Sequence, residues 1–117
     1  MSKKIVVLLR KPPHGSLFPA EGLRVAVAVS TSDTTVVSIG DSVYAFLKGA
    51  DMTLYKRHLD FLSRPMLEEA KPLLVHIDKV SLLERGLTAE DLVEGVTVKE
   101  RSEILSVIAE ADATLTF

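Results

Sequence analysis

The sequence predicts a three-layer α/β/α fold that is built on a five-stranded parallel sheet. Short apolar runs rich in β-branched residues recur along the chain, and amphipathic segments separate them. This alternation is typical of a parallel sheet that helices cover on both faces. The predicted strands lie near residues 4–10, 34–39, 73–78, 96–99 and 113–117. With 117 residues, we expect a single domain that spans 1–117.

The clearest unit is the segment Lys71–Gly86, which reads as a strand, a turn and a capped helix. Its strand, Leu73–Ile77, is short and mostly apolar. Ser81 and Glu84 have the spacing of a capping box, which predicts that Ser81 caps the helix, and Gly86 is expected to end it. The turn therefore lies at the carboxyl end of a central strand, where open α/β sheets bind ligands.

The segment Leu23–Ser30 fits two structures. Val25, Val27 and Val29 alternate as in a strand, whereas Leu23, Ala26, Val27 and Ser30 share one helical face. A strand here would place two strands in succession without a crossover. We predict a helix, opened at its first turn by Pro19, because it gives a regular strand–helix–strand unit.

The remaining helices are predicted from apolar spacing and from capping residues. They are Val43–Leu47, capped by Asp41 or Ser42; Thr53–Ser63; a short turn after Thr88; and Ser102–Asp112, with Ile104, Leu105, Ile108 and Ala111 on its inner face.

Composition narrows the possible functions. The chain has no cysteine, which removes disulfides, thiolate nucleophiles and cysteine metal sites. The three histidines lack ligand spacing, so we expect no metal and no cofactor. A net charge of −2 predicts no direct contact with nucleic acid. The first apolar run is too short for a signal peptide or a membrane span, and we expect a cytoplasmic protein without a membrane partner.

Polar residues follow several of the predicted strands. Because the carboxyl ends of parallel strands meet at one edge of the sheet, these residues are expected to lie near one another. His14, Asp41, Asp78 and Lys79 are the candidate pocket residues, with Glu100 close to the same edge. A functional interpretation makes them a small polar pocket. Structural roles are the simpler explanation, since Asp41 suits a helix cap, and Lys79 and Glu100 suit a solvated surface. The sequence designates no catalytic residue.

Several local motifs occur in an order that resembles the DsrE/DsrF-like family, and most of all its DsrF/TusC branch. They are Pro13-His14-Gly15 after the first strand, Glu21-Gly22-Leu23, the segment Ser81–Leu87, and a final strand that ends on Phe117. The resemblance covers nearly the whole chain and implies a five-stranded parallel sheet between helices. It also implies assembly into homo-oligomers or into hetero-hexamers of related subunits, several of which act in sulfur relay.

The resemblance further implies that a cysteine at the end of the third strand carries the sulfur in active members. That position falls near Asp78, and a carboxylate cannot form a persulfide. We therefore expect a non-catalytic subunit or scaffold of a sulfur-relay-like assembly. Its expected partners are further copies of itself and cysteine-containing DsrE/TusD-like paralogues. The alternative is a cysteine-independent enzyme or small-ligand binder that uses the strand-end pocket.

Apolar residues in the middle of the chain suggest a subunit interface, because a chain of this size buries a limited surface by itself. We expect some of them to contact another subunit. They are Tyr44, Phe46, Leu47, Phe61 and Met66.

Overall fold

Five parallel strands form one sheet in the order β4-β3-β2-β1-β5. The structure is a computed structural model, which describes residues 3–13, 17–29, 32–49 and 74–117. The strands are β1 (Lys4–Leu9), β2 (Asp33–Ser38), β3 (Leu74–Asp78), β4 (Val96–Lys99) and β5 (Ala113–Thr116). The first strand thus lies inside the sheet, and the last strand lies beside it at one edge. The predicted parallel sheet of five strands is confirmed.

Helices of the described residues lie on both faces of this sheet. The α-helices are α1 (Phe18–Ala28), α2 (Lys79–Glu84) and α3 (Arg101–Glu110), and two 3₁₀ helices span Gly40–Phe46 and Ala89–Asp91. One face of the sheet packs against α1, α2 and the first 3₁₀ helix through a core that includes Val7, Leu23 and Phe46. The other face packs against α3, where Val6, Val37 and Ile104 are buried together. The three-layer arrangement follows from these two cores.

The ambiguous segment after Pro19 is helical, as predicted. Pro19 occupies the first turn of α1, and Leu23, Ala26 and Val27 are buried on its inner face. The buried side chains recur with helical spacing, and the alternating valines do not form a strand. Gly86 ends α2 with a φ of 67°, and its neighbour Leu87 donates to the Leu82 carbonyl at 2.9 Å. This geometry is a helix stop of the kind that glycine favours.

Four local predictions were wrong in detail. Asp78, and not Ser81, caps α2, because its carboxylate accepts from the Ser81 backbone N–H. The helix predicted at Val43–Leu47 is a 3₁₀ helix that begins at Gly40, and neither Asp41 nor Ser42 caps it. On α3, Leu105 is 59% exposed and does not belong to the inner face. Phe46 is fully buried in the core, so it is not available to a subunit interface.

Some predictions fall outside the described residues. The helix predicted at Thr53–Ser63 and the interface residues Phe61 and Met66 are among them, and so is His14. Tyr44 and Leu47 are half-buried. The short turn after Thr88 is confirmed, and its Asp91 side chain accepts from the Thr88 backbone N–H at 2.9 Å.

Candidate functional site

Asp78 is the centre of the polar arrangement at the carboxyl edge of the sheet. It is the last residue of β3, and its side chain is 0% exposed. Its Oδ2 accepts from the Ser81 hydroxyl at 2.7 Å and from the Ser81 backbone N–H at 3.2 Å. The Arg101 guanidinium, at the start of α3, donates to both carboxylate oxygens. The buried Asp78 carboxylate therefore accepts hydrogen bonds from Ser81 on α2 and from Arg101 on α3.

The charge state of Asp78 follows from this environment. Burial would raise the pKa of Asp78, but hydrogen bonds from Arg101 and Ser81 and the positive charge of Arg101 outweigh burial. Together they hold the pKa of Asp78 below its ordinary value. Asp78 is therefore ionised at neutral pH and is a poor general acid or base.

A second ion pair links the first 3₁₀ helix, just after β2, to Arg85 at the C-terminal end of α2. The Arg85 guanidinium donates to Asp41 Oδ1 at 2.8 and 3.2 Å, and its Nη1 donates to the Ser81 carbonyl at 3.0 Å. The Gly40 backbone N–H donates to the Ser81 hydroxyl at 2.9 Å. Gly40 has a φ of 59°, a conformation that glycine adopts without strain. Ser81 therefore connects the start of the first 3₁₀ helix with Asp78.

The predicted pocket residues are close in the fold but have different partners. Lys79 does not pair with Asp78; its Nζ donates to Glu100 at 3.1 Å, and both side chains are about half exposed. Asp41 is also exposed and pairs with Arg85 rather than lying against Asp78. The residues Asp41, Asp78 and Lys79 are thus held in three separate ion pairs at one edge of the sheet.

A cleft of about 430 Å³ opens beside these ion pairs. Three arginines, Arg10, Arg85 and Arg101, line it, and Glu84 adds a negative charge. Apolar side chains of α3, including Leu105, form its other wall. The cleft can hold a small molecule or a few residues of a peptide, with an apolar part against α3 and a polar part against the arginines.

The sequence did not identify Arg101 or Ser81 as residues of the site, although both contact Asp78. Arg101 lies 23 positions after Asp78, and only the pairing of β4 with β3 brings the start of α3 to that carboxylate. Ser81 could have been found, because Asp78 and Ser81 themselves have the spacing of a helix cap and its acceptor. The Asp78–Ser81 spacing shares Ser81 with the Ser81–Glu84 capping-box spacing. The helix is capped by Asp78 and does not form the Ser81–Glu84 capping box.

His76 is a further polar residue of β3, on the sheet face that packs against α3. Its side chain is half-buried, and no described residue hydrogen-bonds to its buried Nδ1. Burial lowers the pKa of His76, nearby Lys99 lowers it further, and Glu103 opposes them. His76 therefore favours the neutral imidazole.

The described part of the chain contains neither a metal-binding cluster nor a membrane-spanning helix. No group of three or more histidine or acidic side chains is arranged to hold a metal ion within residues 3–13, 17–29, 32–49 and 74–117. None of the helices in these ranges has the length and apolar character needed to cross a membrane.

The fold and the site define a class of small three-layer α/β/α proteins with a crevice at the carboxyl ends of parallel strands. Solved structures share this fold. The ychN protein from E. coli superposes with a TM-score of 0.79 at 26% identity, and the match covers 100% of both chains. A protein of unknown function from Methanobacterium thermoautotrophicum superposes with a TM-score of 0.67 at 14% identity, again over 100% of both chains.

The chain belongs to the DsrE/DsrF-like family, whose model matches residues 3–117. It is 32% identical over 94 residues to the intracellular sulfur oxidation protein DsrF of Allochromatium vinosum, a match that covers 79% of this chain and 69% of the relative. It is 30% identical over 118 residues to a TusC homologue of Vibrio parahaemolyticus, covering 97% of this chain and 98% of the relative. The predicted resemblance to the DsrF/TusC branch is confirmed.

Proposed function

We propose that this chain is a non-catalytic subunit of a sulfur-relay-like assembly, in which it positions sulfur-carrying partners and carries no sulfur itself. One relative is named a sulfur oxidation protein, and others are named TusC homologues, which supports a role in sulfur transfer of this kind. The assembly transfers persulfide sulfur towards tRNA thiolation or sulfur oxidation. We also propose that the protein acts in the cytoplasm as a single domain.

One observation carries this proposal. The third strand ends on Asp78, where the family resemblance leads us to expect the sulfur-carrying cysteine, and the whole chain lacks cysteine. Sulfur transfer through a persulfide requires a thiolate, which an ionised carboxylate cannot replace. The carboxylate is also fully engaged by Ser81 and Arg101, as expected for a structural residue.

The proposed partners are cysteine-containing DsrE/TusD-like subunits and further copies of this chain. An assembly of related subunits lets one subunit keep the fold and the contact surfaces after the reactive thiol is lost. The test is to purify the tagged chain from its native cell and to supply the purified assembly with a ³⁵S-labelled persulfide donor. We expect the label on a cysteine of a co-purified subunit of the same family.

The control is the same transfer assay on the cysteine-containing subunit without this chain. We expect slower transfer or loss of assembly, and adding the purified chain back should restore both. Equal transfer and equal assembly in its absence would contradict the scaffold role. Purification without any subunit of the family would contradict it as well.

A second candidate function is a cysteine-independent small-ligand binder. The cleft beside Asp78 favours it, because Arg10, Arg85 and Arg101 surround a volume of about 430 Å³ at the edge where α/β sheets bind ligands. Asp41 and Asp78 would then hold Arg85 and Arg101 in place rather than contact the ligand, and Lys79 would stay paired with Glu100. His14, which lies outside the described residues, follows β1 in the sequence. A ligand in a co-crystal structure, seated against Arg10, would support this function.

A further inference from the structure

Within the described residues, the edge strand β5 lacks the features that usually protect the edge of a sheet. All four of its residues have exposed side chains, and Leu115 is 40% exposed. No charged residue occurs between Ala113 and Phe117. Natural proteins normally place a charge, a proline or a covering element at such an edge, because open strands pair with other strands.

The opposite edge of the sheet is protected in the usual way. Strand β4 contains Lys99, whose Nζ lies 3.6 Å from the Glu103 carboxylate, and it is followed by Glu100. A second strand that approached β4 would have to displace these charges. The two edges therefore differ in chemistry, and only β5 is suited to accept a further strand.

The backbone of β5 presents its free groups at defined positions. The Phe117 N–H donates to the Leu8 carbonyl, and the Phe117 carbonyl accepts from the Arg10 N–H, both at 2.8 Å, so residue 117 faces β1. Backbone groups alternate between the two sides of a strand. The backbone N–H and C=O groups of Leu115 therefore also face β1. The N–H and C=O groups of Thr114 and Thr116 point away from the sheet.

We propose that β5 pairs with β5 of a second copy of this chain, antiparallel and around a two-fold axis at Leu115. Thr114 of each copy then lies opposite Thr116 of the other, and their outward groups form four backbone hydrogen bonds. Leu115 meets its own counterpart at a non-hydrogen-bonded position. The result is one continuous ten-stranded sheet.

The side chains suit this register. Ala113 lies opposite Phe117, so the smallest side chain faces the largest. Threonine pairs and apolar pairs stabilise neighbouring antiparallel strands, and no like charges face each other. A two-fold contact of this kind uses the same surface on both subunits and closes, which leaves the charged β4 edges at the two ends. A second copy fits better than an unrelated strand, because ATLTF is complementary to itself.

The absence of native cysteine allows a direct test. In the proposed register the Cα atoms of the two Leu115 residues lie about 4.5 Å apart, within the range of a disulfide. We expect Leu115→Cys to give a disulfide-linked dimer when it is treated with oxidised glutathione. Leu83→Cys is the matched control: Leu83 is 64% exposed but lies on α2, and we expect it to give no such dimer.

A second pair of variants tests the edge without a new covalent bond. Thr114→Lys places a charge at the open edge of β5, and we expect it to raise the dimer dissociation constant at least about tenfold. Thr97→Lys places the same charge at an exposed position of β4 and should leave the constant unchanged. Light scattering over a concentration series measures both.

The inference rests on the self-association in the proposed function, but not on a role in sulfur transfer. A wild-type protein that is dimeric while Leu115→Cys fails to cross-link would overturn the β5 interface and leave self-association intact. A wild-type protein that remains monomeric at high micromolar concentration would overturn both. Neither result changes the labelling test of the sulfur-relay role, so the failures are distinguishable.

Discussion

Arg101 and Asp78 form an ion pair that ties the first residue of α3 to the last residue of β3. The two side chains differ in environment, since Asp78 is 0% exposed and Arg101 is 47% exposed. The same carboxylate caps α2 through Ser81. A change at Asp78 therefore disturbs the ends of two helices, on opposite faces of the sheet, at once.

A double-mutant cycle on Asp78→Asn and Arg101→Met should give a coupling energy of about 1–3 kcal/mol, because one partner is buried and the pair shares a network. Loss of the helix cap alone would make Asp78→Asn cost about 1–2 kcal/mol. The ion pair with Arg101 moves our expectation to the upper end of that range. Urea unfolding of the four proteins provides the measurement.

The control is the exposed pair of Lys79 and Glu100, whose atoms are 3.1 Å apart. The cycle on Lys79→Met and Glu100→Gln should give at most about 1 kcal/mol, as usual for solvated ion pairs. Equal coupling in the two cycles would show that burial of Asp78 adds nothing to its interaction with Arg101.

Acid should destabilise the protein through Asp78. Its pKa is lower in the folded protein than its ordinary value of 3.8, so the folded state binds this proton less readily than the unfolded state does. The stabilisation is fully present above about pH 4 and is lost as the pH falls through the folded-state pKa. We expect the difference in unfolding free energy between wild type and Asp78→Asn to shrink as the pH falls from 4. A constant difference down to pH 2 would contradict this assignment.

Acid should also destabilise the protein through His76, and this loss should begin at a higher pH than the loss through Asp78. Its folded-state pKa is lowered from 6.5, so above that pH the imidazole is neutral in both states and has no effect. Below pH 6.5 the unfolded chain binds the proton first, and the unfolding free energy falls as the pH falls towards the folded-state pKa. NMR titration of the His76 ring should give a pKa below 6.5. The variant His76→Gln should lose this part of the pH dependence.

The fold could be predicted from the sequence more completely than the site, because most of its signals are local. The strands Lys4–Leu9 and Leu74–Asp78 could be predicted because their apolar runs are local signals. The helix at Phe18–Ala28 was chosen on topology, since its valines also alternate as in a strand. The pairing of Asp78 with Arg101, by contrast, depends on which strands are neighbours, and no local pattern contains that information. The exposure of β5 is equally non-local, because it follows from the strand order.

Gly22→Ala should destabilise the protein, although alanine is the better helix former by about 1 kcal/mol. A Cβ at residue 22 of α1 would overlap the Cδ2 atom of Leu9 and lie 3.3 Å from the Phe117 ring. Leu9 is fully buried, so moving its Cδ2 atom disturbs the packing around it. We expect this overpacking to cost about 1–3 kcal/mol and to exceed the gain in helix propensity. Thermal unfolding should show a lower midpoint.

The compensating variant for this prediction is Leu9→Val, which removes the Cδ atoms that the new Cβ would meet. The double variant Gly22→Ala with Leu9→Val should lose less stability than the two single changes added together. Strict additivity would mean that the contact between α1 and β1 at this point does not limit the size of residue 22.

We expect Asp78→Cys to accept sulfur poorly because of restricted access rather than because of charge. A carboxylate such as Asp41 would oppose a thiolate at position 78 if it lay beside that position. Asp41 instead pairs with Arg85, and Arg101 is the charged neighbour, which would lower the pKa of a thiol. Access is the remaining barrier, because the side chain at this position is 0% exposed.

In the loading step a thiolate attacks the terminal sulfur of a donor persulfide. A new S–S bond forms, the S–S bond of the donor breaks, and the donor leaves as a thiolate that keeps the electron pair. This attack requires direct contact with the donor. We therefore expect Asp78→Cys to load more slowly than Lys79→Cys, whose adjacent position is about half exposed. Labelled-persulfide transfer at neutral pH measures both rates. Faster, stoichiometric loading of Asp78→Cys would mean that the site is a sulfur-relay pocket that lacks only its thiol. The chain would then be a sulfur carrier that has lost its cysteine, and the scaffold role would be wrong.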